Sequence, residues 1–241
     1  MKKIALVTGG YSGIGYATAK LLKEKGYEVF ISGRNQEKLQ HAAEELGLQS
    51  ILADMSQPED LKRLASVFLE SGLDALVNNA GIAKVIPVDN IMWEDFFELF
   101  STNVWGPLFL IKELLPALEK RQGSISTVSS IVAESLAKPG VCLYAATKGA
   151  VNAFTHNLVA ELTSKKIRIN AVAPGPIDTP MFTKVGNNPK EITELKEMLG
   201  LEVPMKRLGR SEEVAQVIVA QLESTYVTGA IWVVDGGVSV A

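Results

Sequence analysis

The hydrophobic positions of this chain fall into short runs that are separated by longer amphipathic segments. Seven runs rich in valine and isoleucine predict β-strands at residues 4–8, 28–32, 50–54, 74–78, 124–129, 167–173 and 230–235. The segments between them repeat apolar residues at helical spacing and predict helices at residues 13–25, 35–46, 57–70, 90–121, 144–165 and 211–222. Alternating strands and helices indicate a parallel sheet with helices on both faces. We therefore expect an α/β protein, a doubly wound three-layer sandwich around a seven-stranded parallel sheet.

One segment departs from this alternation. Residues 174–204, between the sixth strand and the last helix, are rich in glycine, asparagine and proline and show no clear strand or helix pattern. Such a long irregular insertion is more than a compact domain needs, and it is typical of a mobile lid. Because no linker or internal repeat is evident, we expect a single domain spanning residues 1–241, with the lid at about residues 180–205.

Composition narrows the class of protein. The 241 residues suit one sizeable domain, and 47% hydrophobic with 21% charged residues is normal for a chain that buries a core. The net charge is −3 and no run of Lys or Arg occurs, so we expect no nucleic-acid partner. No stretch of about 18 uncharged apolar residues is present, so we expect no membrane partner. The apolar run at residues 4–7 is too short for a signal peptide, which favours a cytoplasmic location.

Histidine and cysteine offer little for catalysis or metal binding. Cys142 is the only cysteine, which excludes an internal disulfide and a zinc cluster. His41 and His156 lie on different predicted helices, so we expect neither a Ser-His-Asp triad nor a metal site.

A glycine-rich motif marks the junction of the first strand and the first helix. In TGGYSGIG, residues 8–15, Gly9, Gly13 and Gly15 permit a tight turn, close approach to a pyrophosphate and close helix–strand packing. The spacing is GxxxGxG rather than GxGxxG, and a glycine-rich turn without a ligand is the alternative. Its position directly after a strand favours a Rossmann-type dinucleotide site.

The end of the second strand indicates which dinucleotide is preferred. A site for NAD usually carries an acidic residue there, but this chain has Arg34 and no carboxylate. The guanidinium group suits a 2′-phosphate, although Arg34 is also explained as a solvated loop residue. We expect NADP(H) to be preferred, with NAD(H) possible. Asp54 and Met55, after the third strand, fit the adenine edge or a plain turn.

Tyr144 and Lys148 stand four residues apart in the small, apolar stretch LYAATKGA. On a helix they share one face. By themselves, these eight residues favour a core tyrosine beside a surface lysine over a functional pair.

Six motifs occur in one order along the chain: TGGYSGIG, NNAG (residues 78–81), Asn103, Ser129-Ser130, YAATK and PGPIDTP. With these separations, residues 4–237 resemble the short-chain dehydrogenase/reductase family. The resemblance implies catalytic roles for Asn103, Ser130, Tyr144 and Lys148. It implies dinucleotide contacts from Gly9, Ser12, Gly13, Ile14, Gly15, Arg34, Asp54, Met55, Asn79, Ala80, Gly81, Tyr144, Lys148, Pro174, Gly175, Ile177 and Thr179.

The chemistry explains why such a pair is needed. Carbonyl reduction requires a proton on the developing alkoxide, and a free tyrosine with a pKa near ~10 exchanges protons poorly at neutral pH. A neighbouring ammonium group favours the tyrosinate form. The resemblance adds that Lys148 holds the nicotinamide ribose, and that Asn103 holds a water leading to solvent, although Asn103 also fits a helix irregularity before Gly106.

The choice of serine is open. Ser130 suits the donor that stabilises the substrate oxygen, and Ser129 is its competitor. Ser130 precedes Tyr144 by fourteen residues where thirteen is usual in the family, which indicates one extra residue in the loop 134–143.

We therefore expect an oxidoreductase that transfers hydride between NADP(H) and a carbonyl/alcohol pair, with Tyr144 as acid/base. A nucleotide sensor and a non-redox lyase or isomerase on the same fold are the alternatives. Residues 82–88, 134–143 and 176–204 would build the pocket, which carries no charge cluster and suits a small or medium, mostly apolar carbonyl compound. The family resemblance also implies a homo-oligomer, a tetramer or a dimer.

Overall fold

The computed structural model describes residues 2–133, 137–184 and 188–241. Residues 134–136 of the expected pocket loop and residues 185–187 of the expected lid lie outside the described residues. The extra residue expected in the loop 134–143 therefore falls partly outside them as well.

Seven parallel strands form the central sheet. They are β1 (Ile4–Thr8), β2 (Glu28–Gly33), β3 (Gln49–Leu52), β4 (Ala75–Asn78), β5 (Ser124–Val128), β6 (Arg168–Pro174) and β9 (Ile231–Val234). Their order across the sheet is β3-β2-β1-β4-β5-β6-β9. From β1 the chain adds β2 and β3 on one side and then β4, β5, β6 and β9 on the other side, so the strand order reverses between β1 and β4. Open α/β sheets bind ligands at the carboxyl ends of the strands at such a point.

Helices cover both faces of the sheet. They are α1 (Gly13–Glu24), α2 (Gln36–Leu46), α3 (Pro58–Ser66), α4 (Trp93–Phe100), α5 (Gly106–Arg121), α6 (Cys142–Leu162), α7 (Pro189–Glu202) and α8 (Ser211–Glu223). One core packs α3, α5 and α6 on the sheet through residues such as Leu64 and Leu114. The other packs α1, α2 and α8 through residues such as Leu22 and Ile218. The expected doubly wound Rossmann-type sandwich is confirmed.

The single helix expected at residues 90–121 is wrong. It is divided into α4 and α5 by a π-helical turn, Ser101–Trp105. Pro107 has no backbone N–H, so the α-helical hydrogen bond to the carbonyl of Asn103 cannot form. Sequence periodicity does not reveal this because one extra residue in a turn barely changes the pattern of apolar positions.

The insertion after β6 is more regular than expected. It contains the short strand β7 (Ile177–Asp178), a 3-10 turn (Pro180–Lys184) and the 14-residue helix α7. β7 pairs in parallel with β8 (Gly209–Arg210) outside the main sheet. Strand bounds also shift, since β3 ends at Leu52 and not at residue 54. Asp54 and Met55 thus lie in the loop after the strand.

Candidate functional site

A cavity of about 620 Å³ opens at the carboxyl ends of the strands, where the sheet order reverses. Most residues expected in the site line it: Gly9, Ser12, Gly13, Ile14, Arg34, Asp54, Met55, Asn79, Ala80, Gly81, Ser130, Tyr144, Lys148, Pro174, Gly175, Ile177 and Thr179. Gly15 and Asn103 lie behind the wall and do not line the cavity. The structure therefore brings together residues from seven separate stretches of the chain.

The glycine-rich loop forms one end of the wall. Gly9 and Gly13 have φ angles of +64° and +53°, a conformation that favours glycine. Gly15 is required for close packing, because an added Cβ would lie 2.4 Å from both the Gly9 oxygen and Asn79 Nδ2. A side chain at Gly15 would push the first turn of α1 away from the loop.

Hydrogen bonds fasten this loop to the end of β4. The Thr8 hydroxyl accepts from the backbone N–H groups of Asn79 and Ala80, at 3.0 Å each. Asn79 Nδ2 donates to the backbone oxygens of Thr8 and Gly9, at 2.9 and 3.2 Å. These bonds hold the motifs TGGYSGIG and NNAG side by side as one rigid unit.

Cationic side chains mark the end of the cavity beside β2. Arg34 and Lys38 both line the wall and are exposed. The ring of Tyr11 packs against Gly33, where an added Cβ would lie 2.4 Å from the ring. Sequence reasoning missed Tyr11 and Lys38 as lining residues. The available signal was position alone, inside the glycine motif for Tyr11 and one helical turn after Arg34 for Lys38.

Asp54 and Met55 form the neighbouring part of the wall. The Asp54 carboxylate accepts hydrogen bonds from the Ser56 backbone and hydroxyl, at 2.9 and 2.8 Å, so it stabilises a turn while it lines the cavity. Met55 is buried against α5, where an added Cβ on Gly106 would lie 2.4 Å from the Met55 oxygen. Both readings of Asp54, turn residue and adenine contact, are compatible with this geometry.

Tyr144, Lys148 and Ser130 meet at the other end of the cavity. Burial raises the pKa of Tyr144 to about 12, and a hydrogen bond with the Ser130 hydroxyl opposes this. Burial lowers the pKa of Lys148 to about 8. Lys148 Nζ donates to the Val128 oxygen at 2.7 Å and lies 5.7 Å from the centre of the Tyr144 ring. Both pKa shifts favour the neutral form of the side chain, the phenol of Tyr144 and the amine of Lys148.

The two adjacent serines point in different directions. The Ser129 hydroxyl is buried and bonds to Asn152 Oδ1 at 2.6 Å and to the Lys148 oxygen at 3.3 Å. Ser130 is half-buried and reaches the Tyr144 phenol. Ser129 therefore ties β5 to α6, and Ser130 is the serine that contacts the tyrosine.

Asn103 lies in the π-helical turn and is satisfied by backbone and side-chain partners. Its Oδ1 accepts from the Ile82 N–H at 2.9 Å, and its Nδ2 donates to the Ile82 oxygen and to Thr147 Oγ1, at 2.8 and 3.1 Å. An added Cβ on Gly81 would lie 3.3 Å from Asn103 Oδ1 and 3.8 Å from Lys148 Nζ. A side chain at position 81 would therefore crowd the Asn103 amide oxygen and be in van der Waals contact with Lys148 Nζ.

Apolar residues line other parts of the cavity wall. Ala83, Pro180, Met181 and Phe182 belong to the pocket segments expected from the sequence, whereas Val128, at the end of β5, was not singled out. In the part of the chain that the structure describes, no helix is long and apolar enough to cross a membrane.

Comparisons with known proteins agree with this architecture. The family model described as enoyl-(acyl carrier protein) reductase matches residues 9–239. Glucose 1-dehydrogenase of Gluconobacter oxydans is 36% identical, over 98% of this chain and 92% of the relative. The 3-oxoacyl-(acyl-carrier-protein) reductase of Thermotoga maritima is also 36% identical, over 98% and 97%.

A solved structure is similar over its whole length. The NADP active-site complex of RhlG from Pseudomonas aeruginosa superposes with a TM-score of 0.91 at 30% identity, covering 99% of this chain and 96% of that one. With the family match and the sequence relatives, this places the chain in one enzyme class. The chain belongs to the short-chain dehydrogenase/reductase family and is an NAD(P)-dependent oxidoreductase acting on CH–OH and C=O groups.

Proposed function

We propose that this protein interconverts a carbonyl and an alcohol with NADP(H), and that Tyr144 is the acid/base. The observation that carries the proposal is the hydrogen bond between Ser130 and Tyr144 beside the buried Lys148, on the wall of the cavity. A tyrosine, a cation and a second hydroxyl donor are the groups that a carbonyl oxygen needs when it gains a proton.

The described residues fit a dinucleotide. The glycine loop leaves backbone N–H groups of α1 free at the wall, where side chains would otherwise fill the space. Arg34 lies at one end of the cavity and Lys148 at the other, as a long ligand with two ribose groups requires. When bound, the nicotinamide ring supplies or accepts the hydride.

The protein's own residues handle the proton. In reduction, the Tyr144 phenol would donate to the substrate oxygen while the Ser130 hydroxyl donates a hydrogen bond to the same atom. The Lys148 ammonium, where protonated, would lower the pKa of Tyr144, and each pKa unit corresponds to about 1.4 kcal/mol. Burial disfavours both the tyrosinate form of Tyr144 and the ammonium form of Lys148, so each charge would be stabilised by the opposite charge on the other residue.

Asn103 would act as a positioning residue. Its side chain holds the Ile82 backbone and Thr147, and across Gly81 it stands close to Lys148 Nζ. A water held near this amide would connect Lys148 with solvent and restore the proton that Tyr144 gives up. The structural role in the π-helical turn and this relay role are compatible.

The preference for NADP(H) rests on charge. Arg34 lines the cavity just after β2, where NAD-binding sites commonly place a carboxylate. Ile177 and Thr179 line the opposite wall, where the backbone of Ile177 and the side chain of Thr179 would bind the carboxamide. The RhlG complex with NADP shows that a protein of this fold at 30% identity binds the phosphorylated form.

The proposed substrate is a mostly apolar carbonyl compound. Ile82, Val128, Pro176, Met181 and Phe182 line the cavity near its apolar end. Two lysines of the pocket segments are neutralised, since Lys84 pairs with Asp95 at 2.7 Å and Lys138 pairs with Glu202 at 2.6 Å. An acyl chain suits such walls better than a sugar, although relatives named for both are equally similar.

The remaining proposals concern organisation. We propose one domain over residues 1–241, with α7 and the 3-10 turn Pro180–Lys184 as a lid over the substrate. We also propose a homo-oligomer, which the exposed aromatic side chains of α4 support.

The decisive experiment measures NADPH and NADH consumption against a panel of aldehydes and ketones, with Tyr144→Phe as the variant. We expect turnover with NADPH that falls at least about a thousandfold in the variant, while NADPH binding stays within about twofold, because only the acid/base is removed. Turnover that survives in Tyr144→Phe would overturn the role of Tyr144. Faster turnover with NADH would overturn the cofactor preference and leave the chemistry intact.

The same assay separates the alternatives. A nucleotide sensor would bind NADPH without consuming it, and a lyase or isomerase would convert its substrate without net loss of NADPH. Stoichiometric consumption of NADPH excludes both.

A further inference from the structure

We infer that Lys38, together with Arg34, binds the 2′-phosphate of the dinucleotide, and that Lys38 adds to the discrimination against the unphosphorylated form. The inference rests on the proposed preference for NADP(H) and extends it to a residue one helical turn away. The ligand group in question is a phosphate monoester on the adenosine ribose.

The first observation is position. Arg34 directly follows β2, and Lys38 lies four residues later in the first turn of α2, so both residues lie at the carboxyl end of β2. Both line the large cavity, and both are exposed, so an anionic ligand can reach them. The Asn35 side chain accepts from the Lys38 N–H at 2.9 Å, which fixes the backbone that carries the lysine.

The second observation is charge. Among the described residues that line the cavity, Asp54 is the only carboxylate, and its oxygen is held by Ser56. No described carboxylate forms an ion pair with Arg34 or Lys38, although Glu37 and Glu45 line an adjacent cleft. The two cations therefore face the cavity without a described counter-ion, as a phosphate subsite requires.

The third observation is the wall between the two spaces. Tyr11 and Lys38 line both the large cavity and a smaller cleft of about 270 Å³, whose other residues are Tyr16, Glu37, His41, Ala42 and Glu45. The Tyr11 ring packs on Gly33, the residue before Arg34. Because Lys38 borders both spaces, a dianionic phosphate in the cavity would attract its ammonium group toward the cavity.

The two cations are not equivalent. The planar guanidinium group of Arg34 can form paired hydrogen bonds with a phosphate, or it can stack on the face of an adenine ring. The stacking contact would contribute to the binding of NADPH and of NADH. The Lys38 ammonium is a compact point charge whose benefit depends on an anion close by. We therefore expect removal of Lys38 to weaken binding of the phosphorylated form more than binding of the unphosphorylated form.

The test uses small probes, 2′,5′-ADP and 5′-AMP, whose binding to the full chain is measured by calorimetry at low salt. We expect Lys38→Met to weaken 2′,5′-ADP by about tenfold, equivalent to about 1.4 kcal/mol, and to change 5′-AMP less than about twofold. Lys20→Met is the matched control, because Lys20 is an exposed lysine on α1 that does not line the cavity. The control should bind both probes as the wild type does.

Three outcomes are distinguishable. A tenfold loss confined to 2′,5′-ADP that shrinks as salt rises supports the inference. A wild type that prefers 2′,5′-ADP and a Lys38→Met variant that keeps that preference overturn the role of Lys38 but leave the preference for NADP(H) standing. A wild type that binds both probes equally overturns both. Thermal unfolding of each variant verifies that it is folded.

Discussion

At the scale of single residues, the proposed site carries a charge that folding disfavours. Lys148 is buried, and its described hydrogen bond is to one backbone oxygen at 2.7 Å. Burial lowers its pKa from 10.5 to about 8. Below about pH 8 the folded protein therefore holds a buried cation, and the proposed reaction would use that cation to lower the pKa of Tyr144.

This predicts a specific dependence of stability on pH. Between about pH 8 and 10.5 the unfolded chain keeps the lysine proton and the folded chain loses it. Since the unfolded state then binds more protons, the free energy of unfolding rises with pH in this window. Below it both states keep the proton, so the buried cation destabilises the folded state by an amount that does not change with pH. Relative to Lys148→Met, the wild type should gain about 2 kcal/mol between pH 8 and 9.5, as measured by urea unfolding.

The measurement stops at pH 9.5 because Tyr144, whose pKa is raised to about 12, contributes in the opposite direction once free tyrosine ionises. A difference between wild type and Lys148→Met that stays constant from pH 7 to 9.5 would contradict a depressed lysine pKa.

Gly15 and Gly149 differ in whether the surrounding structure has room for a side chain. An added Cβ at Gly15 would lie 2.4 Å from both the Gly9 oxygen and Asn79 Nδ2, whereas at Gly149 in α6 it would meet nothing within 4 Å. We expect Gly15→Ala to lower the free energy of unfolding by about 1–3 kcal/mol and to weaken dinucleotide binding. Gly149→Ala should raise stability by about 0.5–1 kcal/mol, because alanine loses less entropy in a helix.

Urea unfolding and NADPH titration of both variants test this pair. Equal behaviour of the two variants would show that the loop yields to a methyl group, and that its packing does not depend on glycine at position 15.

At the scale of elements, the π-helical turn between α4 and α5 has a consequence for the site. A continuous helix would place the residues after Phe100 at other angles, and Asn103 would not face the Ile82 backbone. The Asn103 position, the Gly106 contact with Met55 and the start of α5 at Gly106-Pro107 thus belong to one local arrangement. It links the adenine end of the cavity with the end that holds Lys148.

An ion pair connects the proposed lid with the opposite pocket loop. Lys138 Nζ lies 2.6 Å from a carboxylate oxygen of Glu202, the last residue of α7. Exposed pairs contribute little to stability, about 0–1 kcal/mol, but this one joins two segments that are proposed to flank the substrate. We expect Glu202→Gln to raise KM for the carbonyl substrate about two- to fivefold with kcat nearly unchanged, as steady-state kinetics would show.

Glu119→Gln is the matched control, because it removes the exposed Lys165–Glu119 pair at 3.3 Å, which joins α5 to the turn after α6 and not two proposed pocket segments. Equal effects of the two variants on KM would show that the contact between Lys138 and Glu202 has no role in closing the pocket.

At the scale of the whole molecule, large apolar side chains remain exposed along α4 and the π-helical turn. Trp93, Phe97 and Trp105 are 69%, 53% and 65% exposed, and the rings of Trp93 and Phe97 are 5.0 Å apart. Clustered aromatic exposure of this kind commonly marks a protein–protein contact. It supports the proposed homo-oligomer.

We expect Trp105→Glu to shift the protein from its oligomer to a smaller species at micromolar concentration, because a charge would be buried at the interface. Sedimentation or light scattering measures this. Leu69→Glu is the control, since Leu69 is 47% exposed in the segment after α3. A wild type that is monomeric, or a Trp105→Glu variant that assembles like the control, would contradict the proposed contact.

The sequence by itself determined the architecture and predicted the location of the proposed dinucleotide site. Alternating runs of apolar residues and the conformations open to glycine are local properties, so the seven strands and the loop at Gly9 and Gly13 could be predicted from neighbours along the chain. The same holds for Tyr144 and Lys148, because their spacing alone places them on one face of α6.

Only the tertiary structure decided which polar groups meet. Ser129 turns toward Asn152 and Ser130 toward Tyr144 because the partners come from α6, which is distant in sequence from the end of β5. The pKa shifts of Tyr144 and Lys148 come from burial by several elements at once. Lys38 and Tyr11 join the cavity wall because α2 and the glycine loop pack beside each other, and no periodicity along the chain records that distance.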